Sequence, residues 1–444
     1  MRILCTLIAA VMACTLECIA ADRVSSPSPN EEIYLALADE MESSLQKEIL
    51  ERWFPTAVDE EGGGFFENYS LDWTRRPGSD RSIVYQSRLT WTAAQAALRF
   101  PDQAEFYLRM TRHGTACLLE RMWDQKHGGF YWSIDASGQP ANEGAEHKHI
   151  YGVAFGLYAL TASYQATGDE ATLEMAKKVF QWMEEHAHDS KNKGYYEYVA
   201  LDGSYVEGGT NPIGARADQK SMNTHIHVLE ALTALYQIWQ DPEVRTRVQE
   251  VLEICRDRIY TEPGYLTQFF TADWQRLPGP DSFGHDVETG FLMVEAAEAL
   301  GRHDDKQVWT AARRLVDHAL LYGWDDEFGG LYDAGAINAE GVVTGDLHTE
   351  KIWWVQAESL NALMLMHERF GNETDRYWDA FFQQWEFIRK YQIDHERGGW
   401  YPTVHANGEP ASRVKSNRWT ECYHQARAML VVSERLRRLA QDGE

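Results

Sequence analysis

The stretch DQKHGGFYW (residues 124–132) places an aspartate four residues before a Gly-Gly-aromatic step. The pattern returns, strictly or loosely, at four other aspartates: Asp59 (DEEGGGFF), Asp189 (DSKNKGYYEY), Asp325 (DDEFGGLYD) and Asp394 (DHERGGWYP). Successive copies, which we call glycine tracts, are 65, 65, 136 and 69 residues apart. Because the third interval is about twice the others, a degenerate copy is expected near residue 257, where Asp257 leads to Gly264. The chain therefore contains six units of about 65 to 70 residues.

A second signal divides each unit into two helices. Between the glycine tracts, a helix-stopping residue is followed by an N-cap residue, as in Gly168 with Asp169 or Gly371 with Asn372. The stretches on either side carry apolar residues at helical spacing. The pattern predicts twelve helices, at about residues 32–52, 86–100, 103–122, 149–167, 170–187, 222–240, 242–259, 286–301, 305–321, 352–370, 374–391 and 420–438.

These helices indicate an all-α fold. Six consecutive helical hairpins can close into a single (α/α)6 barrel, with one ring of helices inside the other. Several glycine tracts continue as alternating residues around a turn, as in FYWSIDASGQP (residues 130–140), which predicts short β-hairpins on one rim. No change in composition marks a second domain, so residues 31–440 are expected to form one domain after a flexible segment at 21–30.

The N-terminus has the composition of a signal peptide. Arg2 precedes an apolar run at residues 3–14, and small side chains surround Ala20, where a signal peptidase would cut to remove residues 1–20. The run is too short to span a bilayer permanently. A weaker alternative is a lipobox-like sequence at residues 11–14, which would leave a lipid anchor on Cys14. Both alternatives predict export, so the protein is expected to be secreted or periplasmic.

Composition excludes several kinds of partner. With 68 acidic and 42 basic side chains, the formal net charge of −26 repels nucleic acids and anionic membranes, so a neutral substrate is expected. The 16 Trp, 21 Tyr and 17 Phe provide more aromatic surface than a core alone uses, which is typical of sugar sites. Cys117, Cys255 and Cys422, which remain after signal removal, are too widely spaced to predict disulfides or a zinc site. The sequence leaves the oligomeric state open, with a monomer as the simplest form.

The helices that follow the glycine tracts are expected to form the inner ring, so that their first turns open at one mouth of the barrel. Side chains able to bind or transform a sugar occur there in every unit: Arg88, Trp91, Tyr151, Asn223, His227, His285, Glu288, Trp353, Trp354, Glu358, Trp419 and His424. A lone histidine or arginine in a helix is more often structural than catalytic. Three histidines at the same phase of three units are harder to explain in that way, so the pattern predicts one shared pocket.

Two considerations narrow this prediction. Trp353 and Trp354 are adjacent, so one of them is expected to pack in the core and the other to face a ligand. The histidines do not have the spacing of metal ligands, because His225 and His227 point to different faces of a helix and no His-Glu-x-x-His motif is present. No metal site is therefore expected.

Imidazole suits the removal of a proton next to a carbonyl, because both of its protonation states are populated near neutral pH. The hydrogen on carbon 2 of an open-chain aldose is made acidic by the neighbouring aldehyde. Its removal leaves an enediolate, whose negative charge needs hydrogen-bond donors. Arg88 and one further histidine are candidates for these donors.

Four motifs at these positions resemble those of the cellobiose 2-epimerase branch of the N-acylglucosamine 2-epimerase superfamily: MNTHIHVLEA (222–231), FGHDVE (283–288), WWVQAE (353–358) and WxxxYH (419–424). The resemblance covers nearly all of the chain after residue 20. It implies an isomerase that inverts carbon 2 of a reducing-end aldose, from the glucose to the mannose configuration, as in cellobiose or another β-linked disaccharide. It also implies that no metal or nicotinamide cofactor takes part.

Carried over residue by residue, the resemblance implies a role for each candidate. His285 and His424 would form the acid/base pair, while Arg88 and His227 would stabilise the enediolate. The other candidates would form the substrate-binding set. Asn223 would position His227 and the sugar hydroxyls, and Glu288 would orient the base. Tyr151 would line the pocket, Trp354 and Trp419 would stack on the sugar rings, and Glu358 would also bind the substrate.

Several alternatives remain open at this point. Gly399, Thr420 and Glu421 depart from the common pattern of this branch and flank the predicted pocket, so the length of the sugar is not determined. Aldose–ketose (mannose) isomerases and N-acylglucosamine 2-epimerases belong to the same superfamily. A glycoside hydrolase on the same barrel would need two carboxylates, for which Glu288 and Glu358 are the candidates. A non-catalytic sugar-binding protein would need the tryptophans but not the histidines.

Overall fold

The computed structural model describes residues 25–78, 80–141, 145–208, 214–338 and 342–442. The predicted signal peptide at residues 1–20 lies outside these ranges, as do residues 21–24 of the segment predicted to be flexible. In the remainder of that segment, the carbonyl of Pro27 accepts a hydrogen bond from Trp378 Nε1 at 2.7 Å. None of the described helices has both the length and the apolar composition needed to cross a membrane.

The fold is mostly helical, as predicted. The α-helices of the described ranges are α1 (Glu31–Ser44), α2 (Glu51–Trp53), α3 (Ile83–Arg99), α4 (Ala104–Cys117), α5 (Ile150–Thr167), α6 (Glu170–His186), α7 (Met222–Ile238), α8 (Pro242–Ile254), α9 (Phe283–Ala299), α10 (Lys306–Tyr322), α11 (Trp353–Phe370), α12 (Arg376–Phe387) and α13 (Tyr423–Asp442). Helices α1, α4, α8 and α12 continue directly into π-helical segments at Leu45–Leu50, Leu118–Met122, Cys255–Ile259 and Ile388–Gln392. With these segments included, all twelve predicted helices are present to within a few residues at each end.

Short strands lie between the helices: β1 (Tyr69–Ser70), β2 (Arg81–Ser82), β3 (Ser133–Ile134), β4 (His147–His149), β5 (Tyr198–Ala200), β6 (Gln219–Ser221), β7 (Tyr260–Thr261), β8 (Tyr265–Leu266), β9 (Phe269–Thr271), β10 (Arg276–Leu277), β11 (Asp281–Ser282), β12 (Ala334–Ile337), β13 (Val343–His348), β14 (Lys351–Ile352), β15 (Thr403–Val404) and β16 (Val414–Ser416). Segment 130–140 turns back on itself as predicted, with a bridge between Ile134 and Pro140. Its strand β3 also pairs with β2 of the preceding unit, and β1 pairs with β16 near the other end of the chain. The strands therefore join neighbouring units, which the hairpin pattern did not predict.

The helices that follow the glycine tracts contact one another in a cyclic order: α3, α5, α7, α9, α11, α13 and again α3. Each of them also packs against one helix of a second set, which in the same order is α4, α6, α8, α10, α12 and α1. Helices α3, α5, α7, α9 and α11 of the first set are buried on nearly all sides, and α5 contains no charged residue. Helices of the second set are amphipathic, as α6 shows with a buried face that includes Phe180 and an exposed face that includes Lys178. Among the described helices, the first, α1, thus packs against the last, α13.

A buried ion pair ties each strict or loose glycine tract to the start of the following helix. In the tract at Asp124, one carboxylate oxygen accepts the backbone N–H groups of Lys126 and His127, while the other binds the Lys148 ammonium at 2.7 Å. The other tracts repeat this pairing: Asp59 with Arg81, Asp189 with Lys220, Asp325 with Lys351 and Asp394 with Lys415. Because a buried carboxylate has to be paired, the tract needs both its aspartate and a basic residue in the strand that follows.

The degenerate unit is built differently. Asp257 is exposed and pairs with its neighbour Arg256, so it is not the counterpart of the tract aspartates. The turn of this unit instead joins β7 to β8, which pair with each other. At the position of the basic residue, two residues before α9, the unit has Asp281, which is buried next to Asp286 and His318. The predicted copy is therefore present as a turn, but its buried aspartate lies beside His318 and not beside a lysine or arginine.

Lys351→Met is expected to lower the free energy of unfolding by about 3–5 kcal/mol, since it leaves the buried Asp325 carboxylate without a counter-charge. Urea unfolding followed by circular dichroism measures this change. Lys177→Met, which removes an exposed pair with Glu174, is the control and is expected to cost less than about 1 kcal/mol. Equal effects of the two substitutions would contradict a special role for the buried pair.

Candidate active site

The starts of the cyclically arranged helices surround a cavity of about 330 Å³. Ten residues line it: Arg88, Tyr151, Asn223, His227, His285, Glu288, Trp353, Trp354, Trp419 and His424. All ten are among the twelve residues predicted to share one pocket, and the other two, Trp91 and Glu358, are buried and do not line the cavity. A larger cavity, of about 490 Å³, lies near the opposite ends of α9, α11 and α13 and contains none of the predicted residues.

A polar side chain near the start of several of these helices clamps the helix to its glycine tract. Gln86 accepts a hydrogen bond from the Phe65 N–H at 2.7 Å and donates one to the Phe65 carbonyl at 2.8 Å. Gln356 makes the same two bonds to Leu331. His225 accepts the Tyr195 N–H at 3.0 Å, which gives this histidine a structural role. The clamps fix where each helix begins and hence where its side chains meet the cavity.

His285 is held from behind by a hydroxyl. Its Nδ1 lies 2.7 Å from Ser282 Oγ, and its ring packs against Trp354 with the ring centres 4.7 Å apart. Desolvation lowers the pKa of His285 to about 4, with Glu288 opposing the shift and the positive charge of Arg88 adding to it. The imidazole is therefore neutral at physiological pH and available as a base.

His424 is held from behind by a carboxylate. Its Nδ1 lies 2.5 Å from Oε1 of Glu358, a fully buried residue of α11. Burial, together with the charges of Arg88 and Arg427, lowers the pKa of His424 well below its usual value. The structure thus gives Glu358 a place behind His424, whereas the motif had placed it among the substrate-binding residues.

His227 is also held from behind by a carboxylate, which comes from its own helix. Its Nδ1 lies 3.0 Å from Oε2 of Glu230, one helical turn further along α7. Burial on its own raises the pKa of Glu230, but the adjacent Arg427 and His227 outweigh it and bring the pKa down to about 2. Glu230 is therefore ionised and accepts the N–H of the imidazole. The i, i+3 spacing of His227 and Glu230 was a signal for this pair that the motif analysis did not use.

One guanidinium connects the carboxylates beneath the cavity. Arg427, one turn after His424 on α13, donates hydrogen bonds to Glu230, Glu288 and Glu358. It is buried and does not line the cavity. Glu288, which the motif placed beside the base His285, forms its ion pair with Arg427. Sequence analysis missed Arg427, although its spacing from His424 puts both on one face of the helix.

Arg88 is held in place by residues of α5 and by a residue just before α13. Its guanidinium lies 2.9 Å from Glu421 and 3.2 Å from the Tyr151 hydroxyl, and it packs over the ring of Phe155. Glu421 is fully buried, so this departure from the common family pattern serves to hold Arg88 and does not contact the ligand space. The positive charge on the cavity wall is therefore rigidly placed.

The aromatic wall is formed by Trp354 and Trp419, which are partly exposed, and by the nearly buried Trp353. Trp353 packs in the core, as expected for one member of the adjacent pair, but it also lines the cavity beside Trp354. Trp419 packs against Trp132, with ring centres 5.8 Å apart. Gly284 leaves room for Trp354, because a Cβ at this position would lie 2.6 Å from its ring.

Two groups of buried donors among the described residues are close enough to share a cation. In the first, Glu288, Glu358 and His424, the Arg427 guanidinium already supplies positive charge to both carboxylates. The second comprises Asp281, Asp286 and His318 of the degenerate unit and lies outside the cavity. The polar groups that the cavity itself offers are imidazole, guanidinium, amide, phenol and carboxylate.

The model of the N-acylglucosamine 2-epimerase (GlcNAc 2-epimerase) family matches residues 64–428 of this chain. The chain belongs to this family. The match includes every residue of the cavity and also Arg427. The predicted kind of enzyme, a carbohydrate epimerase among the isomerases, is thereby confirmed.

Several proteins of this kind are similar along nearly their whole length. The cellobiose 2-epimerases of Bacteroides fragilis and Ruminococcus albus are 29% and 28% identical, over 88% and 90% of this chain and 97% and 99% of theirs. The D-mannose isomerase of Marinomonas mediterranea is 27% identical over 86% of this chain and 94% of its own. The structure of the cellobiose 2-epimerase from Spirochaeta thermophila, 30% identical, matches with a TM-score of 0.81 over 92% of this chain and 99% of its own.

Gly284→Ala is expected to lower kcat/KM for the sugar, by up to about 10²-fold, because the added methyl group displaces the Trp354 ring that packs on His285. Steady-state kinetics and a thermal melting curve measure the effect on activity and on folding. Gly290→Ala on the same helix is the matched control, since its Cβ meets the Ala312 carbonyl at an ordinary 3.4 Å. If both variants kept full activity, the cavity would not depend on the position of Trp354.

Proposed function

We propose that the protein inverts carbon 2 of the reducing-end aldose of a neutral β-linked disaccharide such as cellobiose, through an enediolate formed by histidine-mediated proton transfer. The observation that carries this proposal is the convergence of His227, His285 and His424 on one cavity, with each Nδ1 held by a neighbouring side chain. This arrangement leaves Nε2 as the ring nitrogen that meets the sugar. Similarity to cellobiose 2-epimerases along nearly the whole chain supports a disaccharide substrate.

Inversion requires a proton to leave carbon 2 on one face and another to return on the opposite face. In the open-chain sugar, a neutral His285 takes the proton as the C2–H bond breaks, and the electron pair moves into the enediolate. A protonated His424 then delivers a proton to carbon 2 from the other side, and the ring closes. One imidazole gains a proton and the other loses one, so the roles exchange in the reverse direction.

The enediolate needs positive charge and hydrogen-bond donors, and the sugar needs surfaces that hold it. Arg88, fixed by Glu421 and Tyr151, offers its guanidinium to the enediolate oxygens, and His227 contributes from the neighbouring wall. Asn223 Oδ1 is buried and has no hydrogen-bond partner among the described residues, so it is free to accept a sugar hydroxyl. The partly exposed Trp354 and Trp419 offer stacking surfaces to the two sugar rings.

The proposal also covers the topology of the fold and the location of the protein. A single (α/α)6 barrel is supported by the cyclic order of helix contacts, in which α13 returns to α3 and a second helix backs each member. Export through an N-terminal signal peptide, with cleavage after Ala20 or lipidation of Cys14, is supported by the sequence of residues 1–20. The protein is accordingly proposed to act outside the cytoplasm.

The rival functions are less well supported by the site. A glycoside hydrolase needs two carboxylates that flank the scissile bond, whereas Glu288 and Glu358 share one guanidinium and only Glu288 lines the cavity. A sugar-binding protein has no need of three histidines with paired Nδ1 atoms. An aldose–ketose isomerase would use the same groups and differs only in the carbon that receives the returning proton.

The test is incubation with cellobiose, mannobiose, mannose and N-acetylglucosamine, with products separated by chromatography and uptake of deuterium at carbon 2 measured in heavy water. Cellobiose is expected to give an isomer of unchanged mass that contains mannose at its reducing end. Release of monosaccharide would point to a hydrolase, and a ketose product would point to an isomerase. His285→Ala and His424→Ala are each expected to lower turnover by about 10²–10⁴-fold with folding intact.

The matched control for these variants is His367→Gln. His367 lies near the far end of α11, where it contacts the hydroxyl of Tyr34, and it is remote from the cavity in the helix. Its loss is expected to leave turnover nearly unchanged. Wild-type rates of deuterium uptake in both catalytic-site variants would show that His285 and His424 are structural, and the proposed mechanism would fail.

The pH dependence of the reaction should reflect the lowered pKa of His285. Because only the neutral imidazole accepts a proton, the acid limb of the profile, where His285 becomes protonated, is expected at about pH 4, the lowered pKa of this residue. The profile of kcat/KM against pH, with circular dichroism at each pH to verify folding, checks this. An acid limb with its midpoint at the ordinary histidine value of about 6.5 would be incompatible with a desolvated base.

A further inference from the structure

The start of α9 is clamped by a carboxylate, whereas α3 and α11 are clamped by an amide. The fourth residue of α9 is Asp286, at the position that Gln86 has in α3 and Gln356 has in α11. Its Oδ1 accepts the Leu266 N–H at 3.0 Å, just as the glutamines accept an N–H from their own tracts. Its other oxygen, Oδ2, is buried and has no hydrogen-bond partner among the described residues. That oxygen needs a proton or a cation.

Asp281 and His318 bring further polar atoms to the same place. Both carboxyl groups are fully buried, and His318 is 4% exposed. Nδ1 of His318 lies 3.3 Å from Oδ2 of Asp281 and 3.7 Å from Oδ2 of Asp286. Neither oxygen of Asp281 has a hydrogen-bond partner within the described part of the chain. Three buried carboxyl oxygens from two residues therefore lack a donor, although such groups are nearly always satisfied in folded proteins.

Other units place a positive charge at the position of Asp281. Lysines stand two residues before α5, α7 and α11, and each pairs with a tract aspartate: Lys148, Lys220 and Lys351. In the degenerate unit an aspartate takes that position, and the clamp residue Asp286 is acidic as well. Protonation of His318 supplies at most one positive charge for two carboxyl groups. The group is therefore short of positive charge when both aspartates are ionised.

The donor atoms are spaced like the ligands of one small cation. Two atoms that each lie about 2.1 Å from a tetrahedral zinc ion are about 3.4 Å apart. The distances of 3.3 and 3.7 Å from His318 Nδ1 to the two aspartates are close to this value. Two carboxylates and a neutral imidazole also balance the charge of a divalent ion. Ca²⁺ prefers about six to eight oxygen ligands and Mg²⁺ keeps much of its water, whereas imidazole suits a transition metal such as zinc.

The residues around the group hold its side chains in place. The Leu266 N–H fixes the carboxylate plane of Asp286, and the ring of His318 packs against those of Tyr265 and Tyr322, with centres 5.9 and 4.7 Å away. Gly264 lets the turn between β7 and β8 approach α10, because a Cβ there would lie 2.3 Å from the Arg314 carbonyl oxygen. Neighbours that orient ligands in this way are characteristic of metal sites in proteins.

We propose that Asp281, Asp286 and His318 bind one divalent transition-metal ion, for which Zn²⁺ is the best match. The ion joins the start of α9 to α10 and supplies the positive charge that a lysine supplies in other units. The site lies outside the sugar cavity, so the ion has a structural role and takes no part in the proposed proton transfer. This inference departs from the expectation of no metal site, which rested on the spacing of histidines, since it uses one histidine and two aspartates.

Protons are the competing source of positive charge. Burial raises the pKa of Asp281 well above its usual value, and the charge of Asp286 raises it further. Burial likewise raises the pKa of Asp286. Without an ion, the two carboxyl groups therefore hold protons, which Zn²⁺ displaces when it binds. Asp281→Asn separates the two cases, because an amide copies the protonated acid but cannot balance the charge of a metal ion.

The first test is the metal content of the full-length protein, purified without an affinity tag and dialysed against metal-free buffer, by inductively coupled plasma mass spectrometry. One zinc ion per chain is expected. Removal of the ion with dipicolinate is expected to lower the melting temperature by a few degrees, and added Zn²⁺, but not Mg²⁺, is expected to restore it. Absence of bound zinc together with a melting temperature that does not respond to Zn²⁺ would overturn the proposal.

Three variants locate the ion. Asp281→Asn and His318→Gln are each expected to lose the bound zinc and the response of the melting temperature to Zn²⁺. The control is His303→Gln, which removes an exposed imidazole beside Asp304 and is expected to keep both. A response to Zn²⁺ that persists in Asp281→Asn would show that the ion binds elsewhere, and the proposal would fail.

X-ray absorption at the zinc edge of the wild-type protein provides a test that does not depend on the folding of the variants. A first shell of nitrogen and oxygen at about 2.0–2.2 Å is expected, and a sulfur shell at about 2.3 Å would place the ion on a cysteine and contradict the site. All these measurements report binding and stability. A protein that binds zinc here but leaves cellobiose unchanged would contradict only the proposed function.

Discussion

A carboxylate removed from water has to be met by a positive charge, and in this protein that requirement joins the loops to the helices. Each aspartate of the strict and loose glycine tracts caps its own turn with one oxygen and holds a lysine or arginine with the other. The basic residue lies in the strand that leads into the next helix. The ion pair therefore fixes the distance between tract and helix, and the starts of the helices are where the cavity residues are.

The same requirement is met in a second form beneath the cavity. There the acidic groups come from different units, and one guanidinium from the last helix serves three of them. Such a cluster is a costly way to fill a core, because each ion has to be desolvated before it is paired. Its presence directly below the histidines is explained by what the carboxylates do for the imidazole rings, and a packed apolar layer could not do the same.

The features that depend on local sequence could be predicted, and those that depend on pairing across the chain could not. The period of the glycine tracts located the helices and predicted ten residues that line one cavity. The partner of Arg88 is 333 residues away, and Arg427 is 197 residues from Glu230, so no spacing rule connects them. The prediction that Asp257 is the counterpart of the tract aspartates was wrong. In the degenerate unit, the pair of a tract aspartate with lysine or arginine is replaced by the buried group around Asp281, so the sequence pattern of that pair is also absent.

The packing of α1 against α13 also has a consequence for the order in which the molecule is completed. During synthesis the apolar face of α1 emerges long before α13, the helix that covers it. Pairing of β1 with β16 has the same long separation along the chain. Closing so large a loop is slow and has to wait until α13 has been synthesised, so the nascent protein lacks a finished core until then. For the export proposed above, in which the chain would pass through a membrane before it folds, that delay would be an advantage.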